Sequence, residues 1–248
     1  MIIDTHVHVY DGGWPPDTEP GLTADEMLKT MDENGVVEAW ISPATGLVRD
    51  FQQNNDKLYR FLGADRKKLL GFYTVNANYT KEAVDEVKRC AENLGAKGIK
   101  LHPWLQGFSC MYESVDRIME ACIRYGLPVL FHDGTPPYSD TMQVANVAER
   151  YPEAKVILGH AGLYDSFRDA VKAAQRFDNI YLCLCGNAIN DVRYILSNMD
   201  NGRILFGSDY GTRDVSLLLE RIDIVAYATA DEAQRRKVYF ENARNLIK

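Results

Sequence analysis

Residues 96–132 read AKGIKLHPWLQGFSCMYESVDRIMEACIRYGLPVLFH, and this stretch decides the fold. An apolar run, AKGIKLH (96–102), leads to an amphipathic helical segment, SVDRIMEACIRYG (114–126), and then to a second apolar run, LPVLFH (127–132). Strand, helix, strand in that order is a crossover unit, and its two strands lie parallel. The same alternation continues toward the N-terminus. TADEMLKTMDENG (23–35) opens with a capping box between Thr23 and Glu26, spaces Met27, Leu28 and Met31 as a helix does, and stops at Gly35. It is followed by the strand VVEAWIS (36–42), the helix NNDKLYRFLG (54–63), the strand LLGFYTVN (69–76) and the helix KEAVDEVKRCAENLG (81–95). In that last helix Val84, Val87, Ala91 and Leu94 form one stripe. Toward the C-terminus come TMQVANVAERY (141–151), AKVILGH (154–160), YDSFRDAVKAAQRF (164–177), NIYLCLC (179–185), INDVRYILSNM (189–199) and RILFGSD (203–209). MIIDTHVHVY (1–10) supplies the first strand, and DEAQRRKVYFENARNLIK (231–248) the last outer helices. The count is eight strands. Eight such units in 248 residues favour an α/β architecture closed into a (β/α)8 TIM barrel, one domain over residues 1–248. An open doubly wound sheet is the competing fold, but no Gly-rich dinucleotide loop follows the first strand.

Composition narrows the function classes. With 46% hydrophobic and 25% charged residues the chain has the make-up of a soluble globular protein with a sizeable core. A net charge of −7 without basic clusters argues against nucleic acid or an anionic membrane and favours a small-molecule substrate. The opening residues carry neither the basic n-region of a secretory signal nor an apolar span, so a cytoplasmic location is expected. Cys90, Cys110, Cys122, Cys183 and Cys185 are odd in number and scattered, as reduced thiols are. The sequence is silent on oligomeric state, and a homo-oligomer is compatible with it.

The polar residues then fall into a pattern. In a regular first strand Asp4, His6 and His8 share one face while Ile3, Thr5 and Val7 share the other. Two histidines at that spacing also suit a polar strand end at a surface, so the remaining three decide. His6 and His8 end the first strand, Lys100 and His102 the fourth, His132 the fifth, His160 the sixth and Asp209 the eighth. Every histidine of the chain therefore stands at the C-terminal end of a predicted strand, where barrel enzymes build their active sites. Neutral imidazoles with one carboxylate suit Zn²⁺ or a similar first-row ion, with a position left open for water.

These motifs, DTHVH, GIKLHP, LFHDG, LGHAG, FGSDYG and the terminal ENARNL, resemble the amidohydrolase superfamily along the whole chain. The resemblance is to its amidohydrolase-related branch, which includes aromatic acid decarboxylases and many uncharacterised hydrolases. It implies that His6, His8, His132 and Asp209 bind a divalent metal. His160 is then a second ligand or a catalytic hydrogen-bonding group, and Asp209 takes the proton of the attacking water. Lys100 is open between three roles: a carbamylated bridge between two metals, as in binuclear members, a free ammonium that orients substrate, or an ion pair inside the barrel. One or two ions are thus compatible with the sequence.

The expected activity is hydrolysis of a small amide, lactone or ester by metal-activated water, with Asp209 as base. The alternatives are non-oxidative decarboxylation of an aromatic or unsaturated acid on the same cage, and a metal-binding barrel without catalysis. His102, Trp104 and Tyr210 are expected to contact substrate, and Trp14, Phe108 and Tyr138 are further candidates for apolar walls. Arg49 and Arg213 stand where either could hold a substrate carboxylate or simply be solvated. Cys183 and Cys185 share a face of the seventh strand, as soft ligands or, more in keeping with their size, as core residues. The family more commonly shows Asp and Ser near those two positions.

Overall fold

The computed structural model describes residues 1–10 and 21–247. Eight strands, β1 (Ile2–Val9), β2 (Val36–Pro43), β3 (Leu69–Thr74), β4 (Gly98–Leu101), β5 (Val129–Phe131), β6 (Val156–Leu158), β7 (Ile180–Leu184) and β8 (Ile204–Phe206), follow one another around a single sheet. Each pairs parallel with the next, and helices occupy the connections. The residues just past β8 complete the ring: the Asp209 amide donates to the His6 carbonyl (2.9 Å) and the His8 amide to the Tyr210 carbonyl (2.8 Å). The expected TIM barrel is the observed fold.

Strand alternation explains where the core sits. Inward residues Ile3, Trp40, Phe72, Leu130, Ile157, Cys183 and Leu205 fill the barrel. Their outward neighbours, such as Ile99, Leu101, Val129 and Phe131, pack in the layer beneath the helices. On β4 the residue between the outward pair is Lys100, a buried ammonium in register with Thr74 on β3 and Leu130 on β5.

The first strand departs from strict alternation. Asp4 pairs with Ala39 and Val7 with Ile41, so three steps along β1 match two along β2, which is a bulge. Ile3 consequently packs inside the barrel and Val7 outside it, although an even spacing puts both on one face. The bulge turns His6 and His8 toward the barrel axis without pulling Ile3 out of the core.

Helices match the expected positions with informative differences. Thr23 and Glu26 make the expected capping box: the Glu26 amide donates to Thr23 Oγ1, and the Thr23 amide to Glu26 Oε2 (2.8 Å). On the helix Thr80–Asn93 the buried residues are Ala83, Glu86, Val87 and Cys90, while Val84 and Ala91 are only partly buried. The stripe is rotated because Glu86 has a buried partner set, accepting from Asn55 Nδ2 (2.7 Å) and Arg89 Nε (2.7 Å). Two helices lie outside the expected pattern, Pro103–Gln106 after β4 and Ser216–Ala228 after β8. No helix among the described residues is long and apolar enough to cross a membrane.

Candidate metal centre

All five histidines gather at the C-terminal end of the barrel as one continuous series of rings. His8 lies 5.0 Å from His6, His6 lies 4.9 Å from His160, His160 lies 4.3 Å from His132, and His132 stacks on His102 at 3.7 Å, centroid to centroid. Within this series the ligand atoms of His6, His8 and Asp209 all lie within 4.8 Å of one another. Asp209 Oδ1 is 3.0 Å from His8 Nε2 and 3.6 Å from His6 Nε2.

The tautomers follow from the partners of the other ring nitrogens. A carbonyl only accepts, so Nδ1–H of His6 donates to Gly159 O (3.0 Å) and Nδ1–H of His160 to Cys185 O (2.9 Å). His8 Nδ1 meets Ser42 Oγ at 2.9 Å, and the Ser42 hydroxyl faces the Val7 carbonyl; we assign that hydroxyl as donor to the carbonyl and acceptor from His8. His6 and His8 therefore turn bare Nε2 atoms toward the Asp209 carboxylate. This is how metal-bound histidines are held, the second nitrogen spent on a fixed acceptor. Two imidazoles and a carboxylate are donors that suit a divalent first-row ion and leave positions for substrate. The residues fit the group that the sequence implies.

Asp209 is held from two sides. Its φ of 63° is left-handed, a strained state for a residue with a side chain. Asp4, buried beneath it, accepts from the His6 amide (3.2 Å), the Ser208 amide (3.0 Å) and the Ser208 hydroxyl, tying the first ligand segment to the last. Burial pushes the Asp4 carboxyl up to about 7 against the pull of those hydrogen bonds. Burial also raises Asp209, but the electrostatic pull of the neighbouring His6, His8 and His160 outweighs it and holds its carboxyl well below the usual range. Asp133 plays a matching part under His160, accepting from the amides of His160 and Gly162 (both 2.7 Å). The turn it grips runs through left-handed Ala161, Gly162 and Leu163.

Burial dominates the titration of the rings. It lowers His160 to about 4 and His102 to about 2, and it lowers His6 and His132 as well, with Lys100 adding to each shift. Lys100 is 1% exposed, its Nζ 2.8 Å from His6 Nε2, and burial brings it down to about 8. Its hydrogen-bond partner is thus an imidazole of the site.

A cavity of about 150 Å³ opens over the centre. Its polar side is His8, His102, His132 and Asp209; its apolar side is Tyr10, Ala44, Leu47 and Leu105. The structure thus brings three of the four expected ligands together, while His132 reaches the cavity with Nε2 bound to Thr135 Oγ1 (2.9 Å). His102 lines the cavity as expected. Several expected walls do not. Tyr210 is buried with its hydroxyl on Thr30 Oγ1 (3.2 Å), Phe108 is wholly buried in the layer under the helices, and Trp104 and Tyr138 are exposed. Tyr10, Leu47 and Leu105 take their place. Trp14 lies outside the described residues. Arg213 faces Glu26 (3.4 Å) and Arg49 is exposed. Ser42, Asp4 and Asp133 carry supporting roles that no spacing in the sequence announces.

Comparison with known proteins fits this geometry. Over 181 residues the chain is 26% identical to 2-amino-3-carboxymuconate-6-semialdehyde decarboxylase of Dictyostelium discoideum, covering 63% of this chain and 49% of that protein. The chain spans about half the length of this curated relative. Among solved structures, 2,6-dihydroxybenzoate decarboxylase from Rhizobium superposes with a TM-score of 0.79 at 17% identity, covering 99% of this chain and 98% of that one. A dihydroxybenzoic acid decarboxylase from Polaromonas, which holds manganese and the inhibitor 2-nitroresorcinol, gives 0.77 at 18% identity, covering 99% and 96%. These named reactions are decarboxylations, and they correct the expectation of amide, lactone or ester hydrolysis. The ion beside them is manganese, so the expectation of zinc in particular has no support there. Residues 3–248 match the amidohydrolase family from one end of the barrel to the other, and the chain belongs to that family.

Proposed function

We propose that the chain is a divalent-metal-dependent, non-oxidative decarboxylase of a compact aromatic or unsaturated acid. The observation that carries the reading is the Asp209 carboxyl, 42% exposed, facing a small half-apolar cavity from between two bare imidazole nitrogens. His6, His8 and Asp209 hold the ion. When bound, it supplies positive charge that fixes an acidic substrate and draws electron density from it.

The chain's own residues do the rest. Tyr10, Leu47 and Leu105 take the flat apolar body of the substrate and keep water from it. Asp209, ionised at rest, takes a proton from solvent water and passes it to the carbon that carries the carboxylate. The carbon–carboxylate bond then breaks, CO₂ leaves, and the electron pair of that bond ends in the new C–H bond. Proton transfer by a placed carboxyl is worth roughly 10² to 10⁴ in rate. The relatives support the reading, since they act on acids of this kind by name.

The test is CO₂ release from a panel of hydroxybenzoates and unsaturated dicarboxylates by manganese-loaded protein, wild type against Asp209→Asn. Release by the wild type, reduced about 10² to 10⁴-fold in a variant that still melts as the wild type does, is the expected result. Equal release by Asp209→Asn overturns the proton role, and a folded, metal-loaded wild type inert on the whole panel removes the reading.

A further inference from the structure

A second donor trio adjoins the first and shares His6 with it. Ligand atoms of His6, His160 and Cys185 fall within 4.8 Å of one another, and all three residues are buried, at 2%, 4% and 0% exposure. The trio of His6, His8 and Asp209 is by contrast partly open. Two details make the inner trio more than three neighbours. The Cys185 carbonyl accepts Nδ1–H of His160, so one residue both fixes the tautomer of that ring and offers it a sulfur neighbour. The adjacent thiol, Cys183, lies 3.4 Å from Thr5 Oγ1 and hydrogen-bonds with Cys185, and Cys185 is the sulfur within reach of both imidazoles.

We propose that His6, His160 and Cys185 form an inner cation position selective for thiophilic ions, and that its occupation excludes an ion from the outer position. The selectivity follows from the donors. A thiolate with two imidazoles prefers soft ions such as Cd²⁺ or Cu⁺, whereas a carboxylate in place of the sulfur admits harder first-row ions such as Mn²⁺. The exclusion follows from His6, which both trios share. Its Nδ1 is spent on Gly159 O, so only Nε2 remains, and one lone pair serves one ion. Either ion must also displace the Lys100 ammonium from that atom. Binding at the inner position forms a metal–sulfur bond, breaks the Cys185 S–H bond and releases that proton to solvent, with no change of oxidation state. A thiophilic ion is then an inhibitor that removes the hard ion.

The test uses whole, metal-free protein titrated with Cd²⁺ and followed by the ultraviolet thiolate-to-cadmium absorption, in wild type, Cys185→Ser and Cys183→Ser. One equivalent should develop the absorption in wild type and in Cys183→Ser, and should drive Mn²⁺ out of manganese-loaded protein as read by electron paramagnetic resonance. Cys185→Ser should lose the absorption and retain Mn²⁺ binding. X-ray absorption at the cadmium edge of the wild type, which needs no variant to fold, should count one sulfur. Absorption that persists in Cys185→Ser, a cadmium shell without sulfur, or Cd²⁺ and Mn²⁺ bound together each overturns the proposal. These readouts are spectroscopic, so failure of the decarboxylase reading leaves them unaffected.

Discussion

Ser42 lies 34 residues from His8 and outside the cavity lining, yet its hydroxyl sets which nitrogen of His8 faces Asp209. Partners of this kind are worth roughly 10 to 100-fold in metal affinity. Ser42→Ala should therefore weaken Mn²⁺ binding by about that factor in a chelator competition, with the melting profile of the metal-free protein little changed. Unaltered affinity would falsify the tautomer assignment. That His6, His8 and Asp209 converge was legible from residue type and strand position. Ser42 was not, because a serine in a strand carries no mark of its cross-strand neighbour. His132 is the reverse case: its position suggested a ligand, and the contact of its Nε2 with Thr135 Oγ1, three residues on, carried no mark in the sequence.

At the scale of elements, β1 and β8 are the pair that shapes the site. The β1 bulge aims His6 and His8 inward, and Gly207 lets β8 pass close beneath them. A Cβ on Gly207 would stand 2.4 Å from Cys183 Sγ and 2.8 Å from His6 Cβ. Such crowding typically costs ~1–3 kcal/mol. Gly207→Ala should lower the denaturation midpoint by that measure and reduce bound metal in the protein that does fold, both in one preparation. Normal stability with full metal loading would mean the two strands have slack that their packing does not show. The bulge was hidden in the sequence because apolar and polar residues alternate through DTHVH as in a regular strand, and only pairing with β2 reveals the extra residue. The helix Ser216–Ala228 was hidden for another reason: Leu217, Leu218, Leu219, Ile222, Ile224 and Val225 spread around it and blur any single stripe. The remaining strands and most helices were plain, since a buried parallel strand needs only an unbroken apolar run.

For the whole molecule, the buried rings set the response to acid. Folding lowers His102 and His160 to about 2 and about 4, and lowers His6 and His132 also, from an ordinary value of 6.5. Below that value the unfolded chain takes up protons that the native rings refuse, so stability falls as pH drops toward 4. Asp4 and Asp133, raised to about 7 and about 6, act in the other direction, because the native carboxyls bind protons first. Four lowered rings against two raised carboxyls leave a net loss. The thermal midpoint of metal-free protein should fall steadily from pH 7 to pH 4, and a midpoint that rises over that range would show that the carboxyls win. Bound metal should offset the loss, by ~2.7 kcal/mol at a hundredfold excess over its dissociation constant.

The ring closes through its two extremes: Asp4 reaches Ser208 across 204 positions, and Asp209 meets His8. A ribosome adds residues in order, so His6 and His8 are made long before their carboxylate, Asp209. No nascent chain ending before residue 209 owns the outer trio. An ion that needs all three donors therefore meets a folded ring, not an emerging strand.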